Sequence, residues 1–180
     1  AQFAASLEDV ETVWVLHDTT AYGQGVAEFF RQEAEAQGLV VLGFEGTEER
    51  ANFDGIIQPI LALAPDLIYF GGIYDQVGIF ISQARAAGYE GYFMGPDGID
   101  SPDLAELAGE AVVGTYYTTV AGPASIYPNA AQFIEDYTEA YGEPPTPFAA
   151  QAYDSAAIVL AALERAIEAN GGELPTREQL

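Results

Sequence analysis

Residues 66–99 combine two short apolar runs with an amphipathic segment between them, and this pattern limits the possible folds more than any other in the chain. The first run, 67–70, ends in two glycines and predicts a buried strand followed by a tight loop. Residues 75–87 carry apolar side chains at helical spacing, with a glycine next. The second run, 92–94, stops at a Gly-Pro pair. A strand, a crossover helix and a strand predict parallel pairing, with the loops that follow both strands at one edge of the sheet.

The same alternation extends over the first 120 residues. Strands are predicted over 12–16, 39–44, 67–70, 92–94 and 114–120. Helices are predicted over 23–37, around 56–63, over 75–87 and over 101–109. Strict alternation of strand and helix predicts an α/β fold with a doubly wound parallel sheet, for which we expect the strand order 2-1-3-4-5.

The pattern changes after residue 120, where a Gly- and Pro-containing stretch leads to two predicted helices over 129–141 and 149–170. Between 149 and 163 the second helix carries a single charged residue, Asp154. A helix that is apolar nearly all round is expected to be buried on several sides. We therefore expect two parts: 1–120 as a complete α/β unit, and 121–180 as a crossover with two helices that belong to another, incomplete lobe.

Both ends of the chain also indicate a piece of a longer protein. The first seven residues begin without a helix cap, and Thr176 to Gln179 is a capping-box sequence with almost nothing after it. This remains an expectation of the sequence.

The charge balance excludes several classes of partner. The chain has 28 Asp and Glu against 5 Lys and Arg, a formal net charge of -23. The five cations are scattered arginines, so no surface can neutralise phosphates, and neither nucleic acid nor an anionic membrane is expected as a partner. Acidity of this kind is typical of a solvated surface, and adaptation to salty or acidic surroundings is the alternative. No apolar run approaches the ~20 residues of a membrane span, so direct membrane insertion is not predicted.

The chemistry-bearing residues do not form a catalytic set. The absence of cysteine excludes disulfides and thiolate catalysis. The glycines after Tyr22 resemble the start of a dinucleotide loop, but residues 17–22 intervene after the strand and Glu28 stands where the third glycine belongs. His17 and Asp18 could form an acid–base pair, yet we expect a structural histidine because no second histidine, lysine or nucleophile elbow completes a site. The carboxylates lack metal-ligand spacing. We predict no enzyme, no metal and no cofactor.

Three other residues fall in loops that the predicted topology brings together. Tyr22, Tyr74 and Asp97 follow strands one, three and four. The reversal of strand order between strands one and three opens a crevice, where open α/β sheets hold small ligands. The alternative is that both tyrosines cover the core edge and that Asp97 is only the turn residue of Gly-Pro-Asp-Gly.

Several segments give the chain a resemblance to a known family. They are, in chain order, Tyr-Gly-Gln-Gly-Val-Ala, Ile-Tyr-Phe-Gly-Gly-Ile-Tyr-Asp-Gln, Gln-Ala-Arg-Ala-Ala-Gly-Tyr, Phe-Met-Gly-Pro-Asp-Gly-Ile, Leu-Ala-Gly-Glu-Ala and Ala-Tyr-Asp-Ser-Ala. Together they resemble the leucine/isoleucine/valine-type periplasmic binding proteins of ABC transporters. The resemblance implies a two-lobed binding protein of type I, of which this chain holds the second lobe and two helices of the first.

The resemblance also implies roles for particular residues. The family acid that meets the ligand's ammonium group falls on Asp97, where many relatives have glutamate. One family tyrosine falls on Tyr22, and another falls on Tyr74 or its neighbour Ile73. Residues that hold the ligand carboxylate belong to the first lobe.

From these observations we expect a periplasmic or extracellular solute-binding protein, either free or lipid-anchored through a missing N-terminus. It would bind an aliphatic, branched-chain type of amino acid between two lobes and deliver it to an ABC transporter permease. The alternative is a ligand-sensing domain of a receptor or amide-responsive regulator with the same fold.

Overall fold

The computed structural model describes residues 1–179, which form two compact units, Ala1–Val120 and the remainder of the chain from Ala121. The first unit contains a sheet with five parallel strands in the order β2-β1-β3-β4-β5. The strands are β1 (Thr12–His17), β2 (Val40–Gly46), β3 (Leu67–Gly71), β4 (Tyr92–Gly95) and β5 (Thr115–Tyr117). The predicted doubly wound α/β fold and its strand order are confirmed.

Helices connect and cover these strands. They are α1 (Gln2–Ala5), α2 (Ala21–Ala36), α3 (Asp54–Leu63), α4 (Tyr74–Ala86) and α5 (Pro102–Ala108), with short 3-10 turns before α5 at Asp97–Ile99 and after it at Gly109–Val112. No helix among the described residues has the length and hydropathy needed to cross a membrane.

Among the differences from the predicted element boundaries, those of β5 and α2 have a clear physical reason. Strand β5 is much shorter than 114–120, because its neighbour β4 stops before Pro96, which has no N–H to extend a ladder. Helix α2 begins before residue 23, because the Thr20 side chain accepts a hydrogen bond from the N–H of Gly23 at 2.9 Å and caps the helix. Tyr22 therefore lies in the first helical turn and not in a loop.

Strand β3 is the centre of the core. All five of its residues are buried, as expected when helices cover both faces of a parallel sheet. On one face, the Phe70 ring meets Phe80 edge-on with centroids 5.2 Å apart. On the other, Tyr69 stacks on Phe30 with centroids 3.9 Å apart. Because successive side chains of β3 point to opposite faces of the sheet, the strand contributes to two separate apolar clusters.

The second unit consists mainly of α6 (Ala131–Tyr141) and α7 (Ala149–Ala169). Phe133 of α6 contacts Tyr153 of α7 with ring centroids 5.1 Å apart. Neither helix contains a buried residue, and Ile158 and Leu160 of α7 are 68% and 64% exposed. The apolar surface expected from the sequence is thus present and uncovered within the described residues.

We expect the isolated 180-residue chain to associate with itself through α7, because water-exposed apolar surface of this size favours contact between copies. Light scattering should detect species heavier than the 19.2 kDa chain. Replacing Ile158 and Leu160 together by serine should reduce the association. A strict monomer whose α7 amides are fully protected from hydrogen exchange would show that this helix needs no partner.

Salt is expected to stabilise the fold. Among residues 1–179 the structure contains a single ion pair, between Arg50 and Asp75 at 3.5 Å. Both of its side chains are mostly exposed. The remaining carboxylates repel one another more in the compact state than in the expanded chain, and salt screens that repulsion. Raising sodium chloride from 0.05 to about 0.5 M should therefore increase the thermal midpoint by several degrees. Sucrose at matched osmolality is the control, and a flat or falling midpoint in salt would contradict the expectation.

Candidate functional site

The loop after β1 is held by its own polar side chains. Asp18 is 5% exposed, and its Oδ1 accepts hydrogen bonds from the Thr20 N–H at 3.0 Å and the Thr20 hydroxyl at 2.7 Å. The Asp18 N–H in turn donates to the carbonyl of Gly71 at 3.0 Å. These bonds fix the start of α2 beside the end of β3.

Two glycines allow that close approach. A Cβ atom added to Gly71 would lie 2.3 Å from the carbonyl oxygen of Gly23, and one added to Gly23 would lie 2.4 Å from the carbonyl oxygen of Gly71. Real Cβ atoms do not approach backbone oxygens so closely, so both positions require glycine for steric reasons. Tyr22 directly precedes Gly23, so this contact places it at the carboxyl edge of the sheet, between β1 and β3.

The loop after β4 meets the loop after β3 in a similar way. A Cβ atom on Gly98 would lie 2.5 Å from the carbonyl oxygen of Gly72. The Tyr22 hydroxyl donates to Asp97 Oδ1 at 2.6 Å and accepts from the Gly98 N–H at 2.9 Å. The loops after β1, β3 and β4 therefore converge, at the point where the strand order reverses.

The electrostatics of this edge favour a cation. Burial and the hydrogen bond to Asp97 raise the pKa of Tyr22, so its phenol stays protonated as a donor. Burial chiefly, with the Asp97 charge as a smaller contribution, also raises the pKa of Tyr69 beneath it. The one ion pair among residues 1–179 joins Arg50 to Asp75, so the Asp97 carboxylate has no cationic side chain beside it.

The residues of the loop after β3 divide between site and core. Ile73 precedes α4 in extended conformation and is 45% exposed. Tyr74 is the first residue of α4 and packs against the core cluster that contains Phe80. Tyr74 was expected to lie beside Asp97, and the residue that hydrogen-bonds to Asp97 is Tyr22. Ile73 is accordingly the more exposed of the two alternatives left by the motif.

His17 has a structural environment. It is 8% exposed, its Nδ1 accepts a hydrogen bond from the Thr19 N–H at 3.1 Å, and its ring lies 5.2 Å from that of Phe44. This agrees with the expectation of a structural histidine.

The opposite, amino edge of the sheet has an open depression of about 470 Å³ lined in part by Asp66. The carboxylate of Asp66 accepts hydrogen bonds from the Thr12 N–H at 2.8 Å and the Thr12 hydroxyl at 2.6 Å. Burial alone would raise the pKa of Asp66, but these bonds and that from the Glu11 N–H together lower it. Asp66 is thus committed to joining the starts of β1 and β3.

The supporting roles of four residues around the site were not predicted from the sequence. Gly72 and Gly98 bring two loops together, and Asp18 with Thr20 positions α2. Only Thr20 had a readable pattern, as a cap residue three positions before Gly23. The contact of Gly98 with Gly72 joins segments far apart in the chain and has no local pattern.

The chain as a whole matches a known family. A model of the periplasmic binding protein family matches residues 1–180, and the chain belongs to that family. The chain is 28% identical over 170 residues to a leucine-, isoleucine-, valine-, threonine- and alanine-binding protein of Pseudomonas aeruginosa, covering 94% of this chain and 45% of that protein. It is 32% identical over 133 residues to a Leu/Ile/Val-binding protein homolog of Brucella abortus, covering 73% of this chain and 36% of that protein.

Solved structures also show the similarity of this chain to binding proteins. A leucine-binding protein from Thermotoga maritima superposes with a TM-score of 0.79 at 34% identity, covering 91% of this chain and 47% of that one. A branched-chain amino acid ABC transporter component from Thermus thermophilus with bound valine gives a TM-score of 0.76 at 19% identity, covering 93% and 45%, and supports the fold alone. The chain thus spans less than half the length of these relatives.

Proposed function

We propose that this chain forms part of a two-lobed solute-binding protein that holds an amino acid, of the aliphatic, branched-chain type, between its lobes. The observation that carries the proposal is the half-buried Asp97 carboxylate, held by Tyr22 at the switch point of the sheet with no cation beside it. The names of the most similar relatives support the ligand class. In this proposal residues 1–120 are one lobe, and α6 and α7 belong to the other.

The chemistry of binding follows from closure. When two lobes close on the ligand, water leaves and the attraction between the ligand's ammonium group and Asp97 strengthens. Tyr22 and the exposed Ile73 would supply apolar wall area, and Tyr74 would support that wall from the core side. The ligand's own carboxylate would be held by the other lobe.

The family supports an extracytoplasmic location and delivery of the ligand to an ABC transporter permease. Lipid anchoring is a further part of the proposal, which an analysis of the mature N-terminus in cells would test. A sensing domain is less favoured, because the relatives at 28–34% identity are named as amino acid-binding proteins.

Calorimetry with the complete two-lobed protein tests the proposal. We expect leucine, isoleucine or valine to bind in the micromolar range or tighter, without turnover, and the 180-residue chain alone to bind them weakly or not at all. Mass spectrometry of ligand retained after native purification would identify the natural ligand. Chemical conversion of the amino acid would instead indicate an enzyme, and no binding of any amino acid would refute the proposal.

A further inference from the structure

We infer that the Tyr22 hydroxyl is a positioning group, which holds the Asp97 carboxylate by Oδ1 and leaves Oδ2 to receive the ligand's ammonium group. The inference rests on the function proposed above and names the residue that decides how Asp97 meets a cation. Tyr22 would then serve as more than apolar wall, because its hydroxyl sets the direction of the charged contact.

The hydroxyl of Tyr22 has its donor and acceptor directions assigned by two different bonds. It accepts from the backbone N–H of Gly98 at 2.9 Å, which leaves its hydrogen directed at Asp97 Oδ1, 2.6 Å away. Hydrogen bonds with one ionised partner are shorter and stronger than neutral ones. Because Gly98 directly follows Asp97, the hydroxyl holds both the backbone and the side chain of that turn.

Tyr22 is itself attached to a fixed support. It is the second residue of α2, whose first turn is capped by Thr20 and pressed against the end of β3 through Gly23 and Gly71. Asp97 begins a 3-10 turn closed by the Asp100 N–H donating to the Asp97 carbonyl at 3.0 Å. The hydrogen bond therefore connects two ordered segments, which limits rotation of the carboxylate.

The protonation state of the Tyr22 phenol supports its role as a hydrogen-bond donor to Asp97. Burial first, and then the hydrogen bond to Asp97, raise the pKa of Tyr22, while the Gly98 N–H acts in the opposite direction. The Asp18 carboxylate, which also faces this region, contributes in the same sense as Asp97. The phenol therefore remains a hydrogen-bond donor at neutral pH, where a free amino acid carries its ammonium group.

A matched pair of ligands tests the positioning in the complete two-lobed protein. The probes are L-leucine and 4-methylpentanoate, which is leucine without its amino group. Tyr22→Phe keeps the ring and removes only the hydroxyl, so it should weaken leucine binding about tenfold. Binding of 4-methylpentanoate, measured by competition, should change less than about twofold because it makes no contact that depends on Asp97.

The control variant is Tyr117→Phe. Burial, and then the Asp100 side chain, raise the pKa of Tyr117 at the same edge of the sheet, so the variant removes a tyrosine hydroxyl near an aspartate outside the proposed contact. It should leave the affinity for both probes unchanged. Equal losses for both probes in Tyr22→Phe would show a purely structural role and overturn the inference, as would an unchanged leucine affinity.

A second arm needs no ligand. We expect the shifts in thermal midpoint caused by Tyr22→Phe and Asp97→Ala to be non-additive. The double variant should differ from wild type by less than the sum of the two single shifts. Additive shifts would mean that the bond is absent in solution and would overturn the inference even if leucine binds. If wild type binds no amino acid, the proposed function fails, and the role assigned to Tyr22 fails with it, whatever the stability cycle shows.

Discussion

Replacing Asp97 by asparagine in the complete protein is expected to weaken amino acid binding by roughly thirty-fold to several thousand-fold. The ammonium group would still be enclosed on closure but would lose its counter-charge, and removing one partner of a desolvated charge pair costs about 2–5 kcal/mol. Each 1.4 kcal/mol is about tenfold in affinity. Calorimetry with leucine, isoleucine and valine measures the loss.

The matched control is Asp100→Asn, which makes the same change of net charge three residues further along the same segment. It should bind nearly as tightly as wild type, because Asp100 is outside the predicted site. Folding should be intact in both variants, as checked by circular dichroism. If Asp97→Asn binds as tightly as Asp100→Asn, Asp97 is only a turn residue and the site is wrong.

Replacing Gly71 by alanine is expected to destabilise the first unit by about 3 kcal/mol. The new Cβ would lie 2.3 Å from the Gly23 carbonyl oxygen and 3.1 Å from the Ala27 Cβ, so α2 must move away from β3. Neither neighbour is the end of a flexible side chain, which makes relief difficult. The thermal midpoint should fall by roughly 6–12 °C.

Gly25→Ala in α2 is the matched control, because nothing lies within 4 Å of the added Cβ. Alanine is favoured over glycine inside a helix by about 0.5–1 kcal/mol, so this variant should melt slightly higher than wild type. If Gly71→Ala melts as high as Gly25→Ala, the contact between α2 and β3 is looser than described and Tyr22 has no firm support.

The fold was readable from the sequence because each element has a local pattern. Strand β3 is a continuous apolar run, and a parallel strand covered on both faces needs no alternation of polar residues. The strand order 2-1-3-4-5 was expected for a doubly wound sheet and is the order observed. The end of β5 was misplaced because it depends on where β4 stops, which is a property of a neighbour and not of β5 itself.

The candidate site was readable only in part. The positions of Tyr22 and Asp97 at the ends of strands followed from the topology, but their direct contact depends on side-chain directions that no spacing contains. Ile73 and Tyr74 are neighbours in the sequence, and α4 begins between them. As a result the tyrosine packs on the core while the isoleucine stays exposed. Their roles toward a ligand remain predictions.

Asp97 is proposed to receive the ammonium group of an amino acid. A crystal structure of the complete two-lobed protein grown with leucine, or with the amino acid that it retains on purification, tests this claim most directly. We expect the ligand nitrogen to lie about 2.7–2.9 Å from one Asp97 carboxylate oxygen, with the Tyr22 hydroxyl still bonded to the other oxygen. A ligand nitrogen bound elsewhere, with Asp97 contacting only Tyr22 and solvent, would contradict it.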